Sequence, residues 1–217
     1  MASMAKEGSV DGKNAVSKVV LAVESSKEFL EWRKSNKSAH LSSVFAMGKS
    51  AKQPDEWLLS YYDGKDDTFT TFSTAGSMTA AKEQAFKKGK TVPQLESGSV
   101  KVEIWNCMKI AENARARNYK DEEANTVITI LQPLTREEFS GRSDNSGSGK
   151  ESGKKETRKE AQAAAETKAG VRPVWNITYI TASFNVINIK IDAETGEVLN
   201  HRISGVMDFM QKDNGGK

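Results

Sequence analysis

With 32 Lys and Arg against 29 Asp and Glu in 217 residues, the chain carries a net charge of +3 and intersperses the two signs, which excludes the dense basic face of a nucleic-acid binder. A single cysteine, Cys107, and two histidines, His40 and His201, exclude an intrachain disulfide and any familiar zinc ligand set. No apolar run is long enough to span a bilayer, so the chain as given is expected to be soluble.

In chain order, Asn14 to Asn36 sets Val16, Val19, Val20, Val23, Leu30 and Trp32 near one helical face, with Asn14 as N-cap. Val19 to Val23 is too short for the apolar region of a signal peptide; the opening MASMAKEGS, with a second Met at position 4, leaves open whether a native leader preceded it. A short apolar strand is expected over Ala39 to Gly48. After Pro54, EWLLSYY alternates Trp57, Leu59 and Tyr61, the period of a half-buried strand, and Asp63-Gly64 signals a turn toward Phe69 and Phe72.

Helix formers dominate Thr79 to Lys88, which predicts a helix ended by Gly89. Ser99 to Trp105 alternates Val100, Val102 and Ile104 with Lys101 and Glu103, which predicts a strand. A helix follows over Cys107 to Tyr119, then a strand over Asn125 to Leu131. Without a regular βαβ rhythm, the expected class is α+β with antiparallel sheet.

Ser140 to Lys155 contains almost no apolar side chain and reads as a mobile tether, because it offers nothing to offset the entropy of ordering. Lys150 to Lys159, the densest basic segment, also carries Glu151 and Glu156 and reads as a solvated helix start. The next helix is expected over Arg158 to Ala169, stopped by Gly170. Two arrangements stay open: a tether between two units, or a long insertion within one continuous sheet.

The closing segment PVWNITYITASFNVINIKIDAETGEVL, Pro173 to Leu199, alternates Trp175, Ile177 and Tyr179 against Asn176 and Thr178. It then alternates Ile187, Ile189 and Ile191 against Asn188 and Lys190, and turns at Gly196. This pattern resembles the PepSY domain of peptidase propeptides and a spore-germination protein. "EWLLSYY" aligns with "VWNITYI" by its Trp and Tyr, although the earlier stretch lacks an ID-x-x-TG ending. The resemblance implies two PepSY-like, cystatin-like helix-on-sheet units, residues 1–139 and 158–217, joined by the tether 140–157, with Trp57, Tyr61, Trp175, Tyr179 and Gly196 as structural positions. It further implies a non-catalytic module, exported or membrane-associated, that binds a protein such as a peptidase it restrains. Asn176, Thr178, Asn185 and Asn188, expected to face away from Trp175 and Tyr179, are the candidate binding residues. The alternative is a structural component that self-associates through the same edges.

Neither histidine is flanked by a nucleophile motif, G-x-S-x-G is absent, and Cys107 in WNCMK has no histidine near it in sequence, so no catalytic role is expected. The carboxylate-rich turns Asp63 to Asp67 and Asp192 to Glu197 do not fit the EF-hand loop, and no glycine-rich phosphate cradle follows a strand. No metal or cofactor is therefore expected. Asn176-Ile-Thr178 meets the N-glycosylation pattern, but within a predicted strand it reads as accidental.

Overall fold

In the computed structural model, which describes residues 15–47, 54, 56–75, 80–84, 92–140 and 170–205, helices α1 (Ala15–Glu24) and α2 (Lys27–Ser35) precede strands β1 (His40–Met47), β2 (Glu56–Asp63), β3 (Thr68–Ser73) and β4 (Ala80–Gln84). A 3-10 turn at Ser97–Ser99 leads into α3 (Ile104–Asn118), β5 (Ala124–Thr135) and the short α4 (Arg136–Ser140). Strands β6 (Val171–Thr181), β7 (Asn185–Asp192) and β8 (Val198–Gly205) follow. The eight strands form one sheet in the order β4-β3-β2-β1-β5-β6-β7-β8, each neighbouring pair antiparallel.

This overturns the expected α+β pair of PepSY-like helix-on-sheet units: most of the described fold is one large sheet. The physical reason lies at its centre, where β1 pairs with β5 (Val44 with Leu131, Phe45 with Ile130, Ala46 with Thr129). Separate sheets would leave both strands as open apolar edges with unpaired backbone groups. β5 also pairs with β6 along its length, from Thr135 opposite Val171 to Ala124 opposite Thr181. The connection 136–170 therefore leaves and re-enters the sheet between neighbouring strands.

Alternation sorts the sheet into two faces. One carries Phe72, Leu59, Val44, Leu131, Trp175 and Ile191, successive register partners from β3 to β7, all fully buried. Helices α1 and α2 cover its N-terminal half, where Phe29 packs on Tyr61 and Phe72 at ring separations of 4.9 and 5.2 Å, and α3 covers its C-terminal half. The two helical groups meet at Glu103, whose two carboxylate oxygens accept the Ala15 N–H at 3.1 Å. An anion at the positive end of α1 is favourable.

Local expectations fail where tertiary pairing outweighs propensity. Thr79 to Lys88, read as a helix, contributes β4 instead, because β3 offers a ladder in which Thr71 pairs with Ala81 and Thr70 with Lys82. Ser99 to Trp105 is no strand: it leaves the 3-10 turn extended, Lys101 and Val102 both donate to Ala193 O at 2.9 Å, and α3 starts at Ile104. The single helix expected from Asn14 breaks into α1 and α2 at Ser25 and Ser26, where the Ser26 hydroxyl caps α2 by accepting from Phe29 N at 3.1 Å. Asn14, the tether beyond Ser140 and the helix expected over Arg158 to Ala169 lie outside the described residues, and Ser140 itself closes α4. Among the described residues, α3 and the segment before it pack on β6, and Trp175 Nε1 donates to Val102 O at 3.1 Å.

A third strand follows the expected C-terminal hairpin: β8 joins β7 through the Asp192 turn. Asp192 is buried; its Oδ1 accepts Glu194 N and Thr195 N at 2.8 and 2.9 Å, and its Oδ2 accepts Arg172 Nη1 at 3.2 Å. Gly196 closes this turn at φ +81°, and a Cβ there would lie 3.4 Å from Ile110 Cδ1. Glycine meets both demands.

Truncating Trp175 to Ala should cost about 3 to 5 kcal/mol, because the indole is wholly buried and its loss leaves a cavity and strips Val102 O of a donor. Urea unfolding checks this. A loss below about 1 kcal/mol would contradict its place in the core.

Candidate functional site

The second face of the sheet begins from the same alternation, read one residue out of phase. Ser73, Leu58, Phe45, Ile130, Asn176, Lys190 and Asn200 are successive register partners from β3 to β8. Ile128, Thr178, Asn188 and Arg202 form the adjacent row. The first line therefore passes from hydroxyl and apolar side chains on the N-terminal half to amides and a cation on the C-terminal half.

Over β1 to β3 the face is hollowed into a depression of about 510 Å³, whose floor and walls include Ser43, Phe45, Leu58, Ser60, Thr71 and Ile130. Small hydroxyl residues stand in register here, Ser43 opposite Ser60 and Ser60 opposite Thr71, and Ser60 Oγ lies 2.8 Å from Thr71 Oγ1. The strand itself is irregular at this place. A bulge between Leu41 and Ser43 inserts Ser42, whose hydroxyl donates to Ser60 O at 2.8 Å. That extra residue lets Leu41 and Val44 both face the helices while Ser43 and Phe45 face the depression.

On the C-terminal half, α4 reaches over the same face as far as β8, and Lys190 Nζ donates to Glu138 O. Partial burial and the neighbouring Arg202 hold the Lys190 ammonium below its ordinary pKa, against the opposing pull of Glu138. Asn188 Nδ2 donates to Thr178 Oγ1 at 3.0 Å, while Asn176 Oδ1 is buried with no hydrogen-bond partner among the described residues. Asn176, Thr178 and Asn188 thus share this face. Asn185 does not: it has the phase of Ile187 and Ile189, and its Nδ2 donates to Glu122 Oε1 at 2.7 Å. Its place two residues before Ile187 already puts it in the phase of the buried isoleucines, so polarity rather than alternation is what groups it with the other amides.

Sequence reading passed over the N-terminal half of the face. The signal was present in EWLLSYY, where Leu58 and Ser60 alternate with Trp57, Leu59 and Tyr61, but attention to the buried set left the complementary set unread. It also passed over Phe184, at the tip of the β6–β7 hairpin. This side chain is 76% exposed, on a backbone at φ +58°. Both the exposed ring and the left-handed backbone are unfavourable for phenylalanine.

The titratable side chains do not converge. His40 Nε2 lies 3.0 Å from Val92 O on β1, whereas His201 Nδ1 lies 2.8 Å from Tyr119 Oη on β8, and four strand pairings separate β1 from β8. Asp63 is held below the usual carboxylate range, first by Lys65 N–H and then by the Ser38 hydroxyl, so its turn uses the charge structurally. Among the described residues no group of His, Cys, Asp and Glu is arranged to hold a metal ion, and no helix is long and apolar enough to cross a membrane.

Cys107 lies wholly buried on α3, and burial, reinforced by Glu103 and Asp192, pushes its thiol up to about 12. Because the thiolate is the reactive form, native protein at neutral pH should resist Ellman's reagent, and denatured protein should release one equivalent of chromophore. Rapid labelling of the folded chain would contradict the burial. No protein family, curated protein or solved structure matches this chain.

Proposed function

We propose that this chain is a non-catalytic binding module, PepSY-like in its C-terminal strands, that holds a protein partner such as a peptidase against the face of its sheet opposite α1, α2 and α3. The observation carrying this reading is the half-buried row Leu58, Phe45 and Ile130, which lies over a depression with no described element covering it. Burying such a row supplies non-directional affinity, and the surrounding hydroxyls and amides fix orientation. Lys190 and Arg202 favour an acidic segment of the partner on the other half. Phe184 suits the reading too, as an apolar knob at the β6–β7 turn whose unfavourable exposure would be relieved on binding.

Site-specific photocrosslinking in cells of the source organism tests it. A photoreactive residue in place of Ser43 should yield a discrete adduct with another protein, whereas the same residue in place of Leu30, exposed on α2, should not. Adducts of equal yield from both sites, or from neither, would remove the support for this face.

A second reading, self-association, is favoured by the outer strands. β4 exposes Ala81 to Gln84 and β8 exposes His201 to Ile203, and an edge strand offers backbone groups to a further strand. Sedimentation velocity over a range of concentrations separates the two readings. A monomer throughout is expected, and a concentration-dependent rise in mass would favour assembly.

A further inference from the structure

Away from the open face, a cleft of about 430 Å³ lies between the loop preceding α3, the Pro133 and Pro173 ends of β5 and β6, and the Asp192 turn. Its size falls within the range of roughly 300 to 1,000 Å³ typical of small-molecule sites. Its apolar wall is Leu95, Pro133, Val171 and Pro173. Three of its charged groups differ in how they are held. Arg172 is one-third exposed and fixed by Asp192, whose side chain is 2% exposed and itself secured by two backbone N–H groups. Asp192 Oδ2 is the one hydrogen-bond acceptor of Arg172 among the described residues, which leaves most of a guanidinium fork of five N–H donors unused. Glu194 is paired with Lys101 at the rim. Glu96, on the loop, has no side-chain partner among the described residues.

A pure anion would meet the carboxylates of Glu96 and Glu194, and a pure cation would meet Arg172. A ligand carrying both signs, with an apolar body for the proline wall, satisfies Arg172 and Glu96 and leaves the Glu194–Lys101 pair in place. We propose that this cleft binds an apolar α-amino acid in its zwitterionic form, with the ligand carboxylate on the Arg172 fork and its ammonium on Glu96. Arg172 is suited to this role because a planar guanidinium matches a carboxylate bidentately, and the buried Asp192 removes the entropy cost of orienting it. The proposal does not depend on a partner at the open face.

Titration of the full chain with free leucine, methionine and phenylalanine, each followed by the amide resonances of Gln94, Ser99 and Thr195, tests it. At least one amino acid should give saturable shifts confined to the cleft. Its analogue lacking the ammonium (4-methylpentanoate in the case of leucine) and its analogue lacking the carboxylate (3-methylbutylamine) should each bind at least tenfold more weakly. Glu96→Gln, an exposed change that leaves the fold intact, should abolish the preference for the amino acid over the acid analogue, and Arg172→Gln should abolish binding. Because Arg172→Gln also strips Asp192 of its partner, Glu96→Gln and the analogues carry the decision. Absence of saturable shifts with all three amino acids, or an acid analogue binding as well as its parent, would overturn the proposal.

Discussion

Everything in this fold hangs on the short ladder between β1 and β5. Three register pairs join two four-stranded meanders into one sheet, and through Val44 and Leu131 the buried row of one half becomes continuous with that of the other. Across that seam the register is repeated. Trp57 stands opposite Ala46 and Trp175 opposite Leu131, each on the strand beside the seam, and Tyr61 and Tyr179 follow four residues later. The seam is closed a second time in the helical layer, where Glu103 receives the first N–H of α1. A single sheet with one continuous helix-covered face buries more apolar surface than two separate sheets would, since neither central strand is left as an edge.

The two halves solve their cores differently. The N-terminal half is aromatic: Trp32, Tyr61 and Phe72 pack edge to face, Phe29 lies tilted against all three, and Arg33 lies over three of the rings. Burial and the adjacent Glu24 carboxylate, which accepts the Tyr61 hydroxyl at 3.1 Å, push that phenol well above its ordinary range. The C-terminal half is aliphatic, with Ile177, Ile187, Ile189 and Ile191 around Trp175. There the polar work falls to the Asp192 turn, which ties β6, β8 and the segment before α3 to one buried carboxylate and the backbone beside it. The ID-x-x-TG sequence is thus explained by local chemistry: the Asp accepts the turn amides, and the Gly supplies a positive φ.

Strands with strict alternation were legible in the sequence because period-2 burial leaves its mark residue by residue. Trp57-Leu58-Leu59-Ser60-Tyr61 and Trp175 to Tyr179 are such runs, and the helix around Cys107 was legible by its own period. What alternation cannot encode is which strand lies beside which. Ser140 to Lys155 looks like a boundary, yet the strands on either side of it are neighbours, since pairing is decided by edges meeting in space. Ala80 to Gln84 has the composition of a helix and becomes an edge strand for the same reason. Asn185 is polar yet lies two residues before Ile187, so its chemistry and its strand phase point to opposite faces, and the phase decides. Neither the depression nor the cleft was legible, because each is assembled from segments far apart in the chain.

The central seam also sets the order in which the molecule can be completed. During synthesis the aromatic half has its helices and strands β1 to β4 available well before β5 exists, so β1 presents an open, apolar edge until the second half arrives. Contacts so distant in sequence are slow to form, and an uncovered strand edge invites pairing with the wrong chain. The bulge at Ser42 bends that edge locally, and bulged strands are poorer templates for a foreign strand. The irregularity that shapes the depression on the finished sheet therefore also guards the unfinished one.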